Sequence, residues 1–170
     1  IRLSSEATTG LVAYDIRNNN KHTYFIGCDN NYIFGYNEAG RPISGWRPNK
    51  IDGNLEFPVK YFIKNQKTYF FGVSDRGDFY LWDKNGDQAF EPLGLGTRFN
   101  NPLQIEFEDE FENTHLITSD TSGNTIFIYM SGKAEIKSFG NWSANAYFNY
   151  FDVNKDGDKE LVYAERNSVL

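Results

Sequence analysis

A pattern that recurs about every forty-six residues is the feature that most constrains the fold of this 170-residue chain. Three similar segments each begin with a threonine, 45 (68 − 23) and 46 (114 − 68) residues apart: Thr23, Thr68 and Thr114. A glycine follows later in each segment, at spacings of 46 and 46: Gly40, Gly86 and Gly132. Four residues before each glycine stands a large apolar residue: Tyr36, Trp82 and Ile128. Such self-similarity indicates a repeat architecture.

Each repeat predicts four short antiparallel strands. In the second repeat the apolar runs "FPVKYFI", "TYFFGV" and "FYLW" are separated by polar turns, and the last strand is clearest as "AEIKSF" in the third repeat. Aromatic residues make up 17% of the chain, a composition that favours strands over helices. The recurrent glycines suit the left-handed backbone positions of tight hairpin turns.

The repeat therefore predicts an all-β fold, a β-propeller of four-stranded antiparallel blades. Three complete blades and a partial fourth are expected within a single segment: 9–52, 53–98, 99–143 and 144–170. The ending "RNSVL" falls where the first repeat has the strand "NNYIF". Two arrangements fit: a part of a larger ring, or a ring that closes within the chain when the N-terminal strand completes the last blade. The first is favoured because natural domains seldom end within a strand.

A second feature is the stretch "DVNKDGDKELV" at 152–162, which predicts a calcium loop. Calcium takes six to eight oxygen ligands. The candidate donors recur at alternate positions: Asp152, Asn154, Asp156, Asp158 through its carbonyl, and Glu160. Gly157 permits a sharp bend, and Tyr163 stands where an EF-hand needs its bidentate glutamate, so the loop is not an EF-hand. The alternative is a turn rich in Asx residues that holds no ion.

Two stretches carry a resemblance to a known family. The ending "FGYNEAGRPISGWRP" at 34–48 and the loop "FDVNKDGDKELVY" at 151–163 resemble the blade ending and the calcium loop of bacterial FG-GAP/VCBS-type β-propellers. The resemblance implies that Glu160 closes the calcium shell. It also implies a non-catalytic interaction or scaffold module outside the cytoplasm, whether periplasmic, on the cell surface or secreted.

Charge and motifs narrow the classes of function. The net charge of −6 argues against a nucleic-acid partner. No apolar run reaches the roughly 20 residues of a membrane-spanning helix. The sequence holds no C-x-x-C, no H-E-x-x-H and no phosphate-binding G-x-x-x-x-G-K-[ST]. We therefore expect no enzymatic activity.

Carbohydrate binding is the alternative function. An exposed tryptophan can stack on the face of a sugar ring, and Trp46 and Trp142 are the candidate ligand-binding residues. The competing interpretation is that these aromatic rings fill the core between sheets. The sequence leaves open whether the partner is a protein or a glycan.

Overall fold

The structure is a computed structural model that describes residues 3, 5–47, 49–166 and 168–169. These residues form an all-β fold with one short 3-10 helix. The chain divides into two compact units, an N-terminal unit (Ile1–Gly96) and a C-terminal unit (Thr97–Leu170). Across the described part of the chain, no helix combines the length and the apolar character needed to cross a membrane.

The N-terminal unit holds two four-stranded antiparallel sheets in which neighbouring strands follow the chain order. The first sheet contains β1 (Val12–Tyr14), β2 (Thr23–Gly27), β3 (Tyr32–Asn37) and β4 (Asn49–Lys50). The second sheet contains β5 (Lys60–Lys64), β6 (Lys67–Val73), β7 (Asp78–Asp83) and β8 (Leu93–Gly94). Each is a meander, so successive loops alternate between the two ends of its sheet.

The C-terminal unit holds a third sheet of four strands and a fourth sheet of three. The third contains β9 (Gln104–Glu106), β10 (His115–Ser119), β11 (Thr125–Tyr129) and β12 (Lys133–Lys137), with the 3-10 helix Phe111–Asn113 before β10. The fourth contains β13 (Tyr147–Phe151), β14 (Glu160–Glu165) and β15 (Ser168–Val169). Each of the four sheets falls inside one of the four predicted repeat ranges.

The central hairpins of the first three sheets share one register, displaced by 46 residues each time (69 − 23 and 115 − 69). Their outermost pairs are Thr23 with Asn37, Tyr69 with Asp83, and His115 with Tyr129. Matching the threonines in the sequence places the second and third repeats one residue too early. The reason is that turn geometry fixes the register, and a shift of one residue moves every side chain to the other face.

The turns explain why the spacing is so regular. Between the two central strands, a left-handed residue recurs with φ of 65°, 84° and 80°: Asn31, Gly77 and Gly123. After the third strand, glycines adopt φ of 72°, 85° and 78°: Gly40, Gly86 and Gly132. Residues with a side chain rarely adopt this backbone conformation, so glycine is strongly favoured there.

Each unit has its own apolar core. In the N-terminal unit it contains nine buried residues: Phe25, Ile33, Trp46, Ile51, Leu55, Val59, Phe70, Tyr80 and Trp82. In the C-terminal unit the core cluster contains Ile117, Ala146, Phe148 and Tyr163. These clusters join residues from two neighbouring sheets of the same unit, which explains why the repeats are rich in aromatic residues.

Trp46 lies in this core and not on a binding surface. Its side chain is 4% exposed, and its ring packs edge-on against Phe25 at 4.9 Å and Phe70 at 5.3 Å. Stacking on a sugar needs a ring face open to solvent, and the Trp46 ring offers none. The predicted ligand-binding role of Trp46 is corrected accordingly: its large apolar area is used to join the first two sheets.

Candidate functional site

The predicted calcium loop joins β13 to β14 and is folded by its own side chains. The two carboxylate oxygens of Asp152 accept the N–H groups of Lys155 (2.5 Å) and Gly157 (2.9 Å). Asn154 Oδ1 accepts the N–H of Asp156, and Asp156 Oδ1 accepts that of Asp158, both at 2.9 Å. Gly157 has φ of 100°, as the predicted bend requires. The side-chain oxygens of Asp152, Asn154 and Asp156 therefore all bind backbone N–H groups of the same loop.

Glu160 accepts two hydrogen bonds from the other side of the loop. Its Oε2 accepts the N–H of Val153 at 2.8 Å, and its Oε1 accepts Asn154 Nδ2 at 3.4 Å. The donors are all oxygen, which is the donor type that calcium prefers, and each capping oxygen keeps a second lone pair. Over the described residues, however, no group of three or more His, Cys, Asp and Glu side chains lies close enough to hold a metal ion. The fit is therefore one of donor type, and calcium binding stays a prediction.

Several acidic side chains lie near Tyr150 beside this loop. Lys159 pairs with Glu106, Nζ to Oε2, and its Nζ lies 5.5 Å from the centre of the Tyr150 ring. Burial raises the pKa of the Tyr150 hydroxyl, and the carboxylates of Glu106, Glu108, Asp158 and Glu160 raise it further. A divalent cation at the loop would be attracted by the same carboxylates.

Trp142 occupies an open polar groove of the C-terminal unit. Its ring is half-buried and stacks in parallel on Tyr163, with centroids 5.2 Å apart and planes 10° apart. The groove has a volume of about 830 Å³, and its other lining side chains are polar: Ser122, Asn124, Ser138, Asn141, Ser143, Glu165 and Arg166. The indole Nε1 of Trp142 is buried and has no hydrogen-bond partner in the described structure.

The segment that carries Trp142 is anchored by Glu165 at the end of β14. The Glu165 carboxylate accepts the hydroxyl of Ser143 at 2.5 Å and the N–H of Ser143 at 3.0 Å. These two hydrogen bonds lower the pKa of Glu165. Neither Ser143 nor Glu165 stood out in the sequence, because they lie 22 residues apart and meet only when β14 is in place.

A second cleft, of about 750 Å³, lies at one end of the two sheets in the N-terminal unit. Its walls come from the loops that follow β1, β3, β5 and β7. Its floor includes the Phe25 and Phe70 rings, whose centroids are 4.6 Å apart, with Ile16 and Ile43 beside them. Ile63, which is 47% exposed, stands at the opening.

The rim of this cleft carries more basic than acidic side chains. Its ionisable lining residues are Arg17, Lys21, His22, Glu38 and Lys84, all exposed. Sequence reasoning missed this cleft because its cations come from loops that are separated by up to 67 residues (84 − 17). The only local signal was the cluster "RNNNKH" at 17–22 in a chain whose net charge is −6.

Comparisons with known proteins define the fold and not a family. No family model matches the chain, and no curated protein matches it. It is similar to the crystal structure of BBS1N in complex with ARL6DN, soaked with mercury, with a TM-score of 0.63 and 10% identity over 96% of this chain and 49% of that one. For the same complex soaked with lead, the TM-score is 0.58 and the identity 12%, over 91% of this chain and 45% of that one.

The chain thus spans about half the length of the solved structures that it resembles. At this level of identity the likeness shows the fold alone. The fold is all-β with four antiparallel sheets, and it is similar to a β-propeller. The specific resemblance to FG-GAP/VCBS repeats has no family match behind it and stays a prediction.

Proposed function

We propose that this chain is a β-propeller segment that acts as a non-catalytic protein-interaction module. The observation that carries the proposal is the likeness of its four sheets to BBS1N, which was crystallised in complex with ARL6DN. Meander sheets hold their connecting loops on a rigid frame, and binding residues are often found on such loops. The polar groove around Trp142 and the cleft of the N-terminal unit are both lined by residues of such loops.

Three finer statements belong to the same proposal. Each four-stranded sheet is one blade, the three-stranded sheet is part of a fourth, and the chain is part of a larger ring. The 46-residue register of the first three sheets supports the first statement, and the place of the three-stranded sheet within the fourth repeat range supports the second. The coverage of about half of BBS1N supports the third. The resemblance to FG-GAP/VCBS repeats supports a location outside the cytoplasm.

The interaction is tested by selecting binders for the purified chain from a displayed library of protein fragments, in parallel with a glycan array. We expect saturable binding of at least one protein fragment at about micromolar Kd, the range of many transient interfaces. Different binders from the library should compete with one another, because we expect them to share the connecting loops of the sheets as their binding surface. Saturable binding to glycans with no protein binder would contradict the proposal and support the alternative.

We also propose that the loop from Asp152 to Glu160 binds a structural calcium ion. At about ten times Kd, mass action would raise the free energy of unfolding by about 1.4 kcal/mol. The test is thermal unfolding of the wild type, Asp156→Ala and the control Asp109→Ala, which removes an exposed acid outside the loop. Calcium should raise the Tm of the wild type and the control only. An equal response of all three proteins would contradict the site.

A carbohydrate-binding groove around Trp142 is the second candidate. It is favoured by the half-exposed indole beside hydroxyl and amide side chains that can hydrogen-bond to sugar hydroxyls. The discriminating variants are Ser122→Ala and Asn141→Ala, which leave the stacking of Trp142 on Tyr163 in place. Loss of a glycan signal in both variants would support this function, and a glycan signal unchanged in both would contradict it.

A further inference from the structure

We infer that the cleft of the N-terminal unit is a docking site for an acidic peptide segment that carries one aromatic side chain. This inference rests on the proposed interaction function and specifies the chemistry of the partner. It draws on three features of the cleft: the charge of its rim, the apolar side chains below that rim, and the rigidity of its loops.

The rim has a clear excess of positive charge. Arg17, Lys21 and Lys84 face the cleft against one carboxylate, Glu38. None of these three cations forms an ion pair with another residue in the described part of the chain. A net-acidic protein would repel an acidic partner elsewhere on its surface, so this rim offers local charge complementarity.

His22 adds to the rim but is not counted among its cations. The nearby Asp15 side chain accepts the N–H groups of Asn19 (3.0 Å) and Asn20 (2.8 Å) of the same loop. These bonds, with a smaller contribution from His22, lower the pKa of Asp15. The carboxylate of Asp15 is therefore engaged in shaping the loop and is absent from the cleft lining.

The interior of the cleft suits an aromatic anchor. Ile16 and Ile43 are half-buried, and Ile63 is 47% exposed at the opening. Below them lie Phe25 and Phe70, which are 1% and 2% exposed. An inserted ring would cover the exposed part of the isoleucines, and apolar burial at the centre of a charged rim is the arrangement of interface hot spots.

The loops are preorganised, which reduces the entropy cost of binding. Asn37 Oδ1 accepts the N–H groups of Ala39 and Arg41, both at 3.0 Å. Asp83 Oδ1 accepts those of Asn85 at 2.8 Å and Asp87 at 3.0 Å. The loop between β5 and β6 has only two residues, Asn65 and Gln66. These hydrogen bonds from side-chain oxygens to backbone N–H groups thus order the backbone of the loops that follow β3 and β7 before a ligand arrives.

The test measures fluorescence anisotropy with the complete chain and a labelled peptide of seven residues, a phenylalanine flanked on each side by three glutamates. We expect saturable binding that weakens about fivefold when salt rises from about 0.05 to about 0.3 M, because screening weakens exposed charge pairs. Replacing the phenylalanine by serine should weaken binding about tenfold. Absence of saturable binding at about 1 mM peptide would overturn the inference.

Matched variants locate the site. Arg17→Gln with Lys84→Gln should weaken binding about fivefold to tenfold, whereas Lys133→Gln, an exposed lysine of β12, should change it less than about twofold. Ile63→Ser should also weaken binding. Its control is Ile136→Ser on β12, where the side chain is 50% exposed, close to the 47% of Ile63. Equal affinities in the cleft variants and their controls would overturn the inference.

Other anionic occupants are outcomes of the same assay. Tighter binding of anionic lipid vesicles or of a single-stranded oligonucleotide than of the peptide would contradict a peptide site. Suppose that library fragments bind the chain, but that the peptide does not bind and the rim variants leave fragment affinity unchanged. In that case only this inference fails. If no protein fragment and no peptide binds, the proposed function fails with it.

Discussion

At the scale of single residues, a buried polar side chain, Asn101, connects the third sheet to the fourth. Asn101 is 6% exposed and its Nδ2 donates to Ser119 Oγ (2.7 Å) and to the carbonyl of Ala146 (2.9 Å). Its Oδ1 accepts the N–H of Phe148 at 3.2 Å. One side chain thus satisfies backbone groups at the start of the fourth sheet while it is held by the third.

Asn101→Ala should therefore lower the free energy of unfolding by about 2–3 kcal/mol, because it leaves a buried N–H and a buried carbonyl without partners. The matched control is Asn145→Ala, at an exposed position of the same unit, with an expected change below about 0.5 kcal/mol. Urea unfolding of both variants measures the difference. Equal stability of the two would refute the bridging role of Asn101.

The hydrogen bonds from Ser143 to Glu165 make a prediction about pH. The folded pKa of Glu165 is below its unfolded value, so this contribution to stability is complete above the unfolded pKa of about 4.3 and is lost as pH falls through the folded pKa. Ser143→Ala should raise the pKa of Glu165, measured by NMR titration of its carboxyl carbon. Ser138→Ala, whose hydroxyl donates to the carbonyl of Gly140, is the control and should leave the titration unchanged.

Residue roles were the part least predictable from sequence. The oxygens of Asp152, Asn154, Asp156 and Glu160 hydrogen-bond within one loop because their spacing is local and a glycine follows at the bend. The sequence gives no reason to distinguish Trp46 from Trp142, yet Trp46 is in the core and Trp142 is half-exposed. Burial depends on which neighbouring sheet covers a position, and that information lies in distant parts of the chain.

At the scale of elements, the strands were predictable because apolar runs and turn residues alternate along the chain. The exact register was not. Thr23, Thr68 and Thr114 look alike, but the strand pairing makes Thr23 equivalent to Tyr69 and His115. The connections before the second strand of each sheet differ in length, with eight residues at 15–22 and two at 65–66. The strand register therefore cannot be obtained by counting residues along the sequence; it depends on the geometry of the turns.

The two-residue turn between β5 and β6 offers a stabilising substitution. Asn65 and Gln66 have φ of 50° and 61°, so both lie in the left-handed region that two-residue hairpin turns of type I′ require. Gln66→Gly should relieve strain and raise the free energy of unfolding by about 0.5–1 kcal/mol. Gln104→Gly, in β9, should lower it by a similar amount. Thermal unfolding should show a higher Tm for Gln66→Gly and a lower Tm for Gln104→Gly than for the wild type. A lower Tm for Gln66→Gly would contradict the turn assignment.

At the scale of the whole molecule, repetition made the fold class predictable without any relative. A sheet of four short strands leaves apolar faces that it cannot cover alone, so successive sheets must pack on one another. The two core clusters show this packing within each unit. The cleft of the N-terminal unit could not be predicted from the sequence, because its lining comes from four separate loops that share no sequence motif.

The measurement that tests this account most directly is a set of NMR contacts between backbone protons across the three central hairpins. The 46-residue register predicts that directly opposite residues are Phe25 with Gly35, Phe71 with Leu81, and Ile117 with Phe127. All three contacts should appear together, each displaced from the last by 46 in both members. Absence of these contacts, or three hairpins with unrelated registers, would contradict the repeated-sheet architecture on which the functional proposals depend.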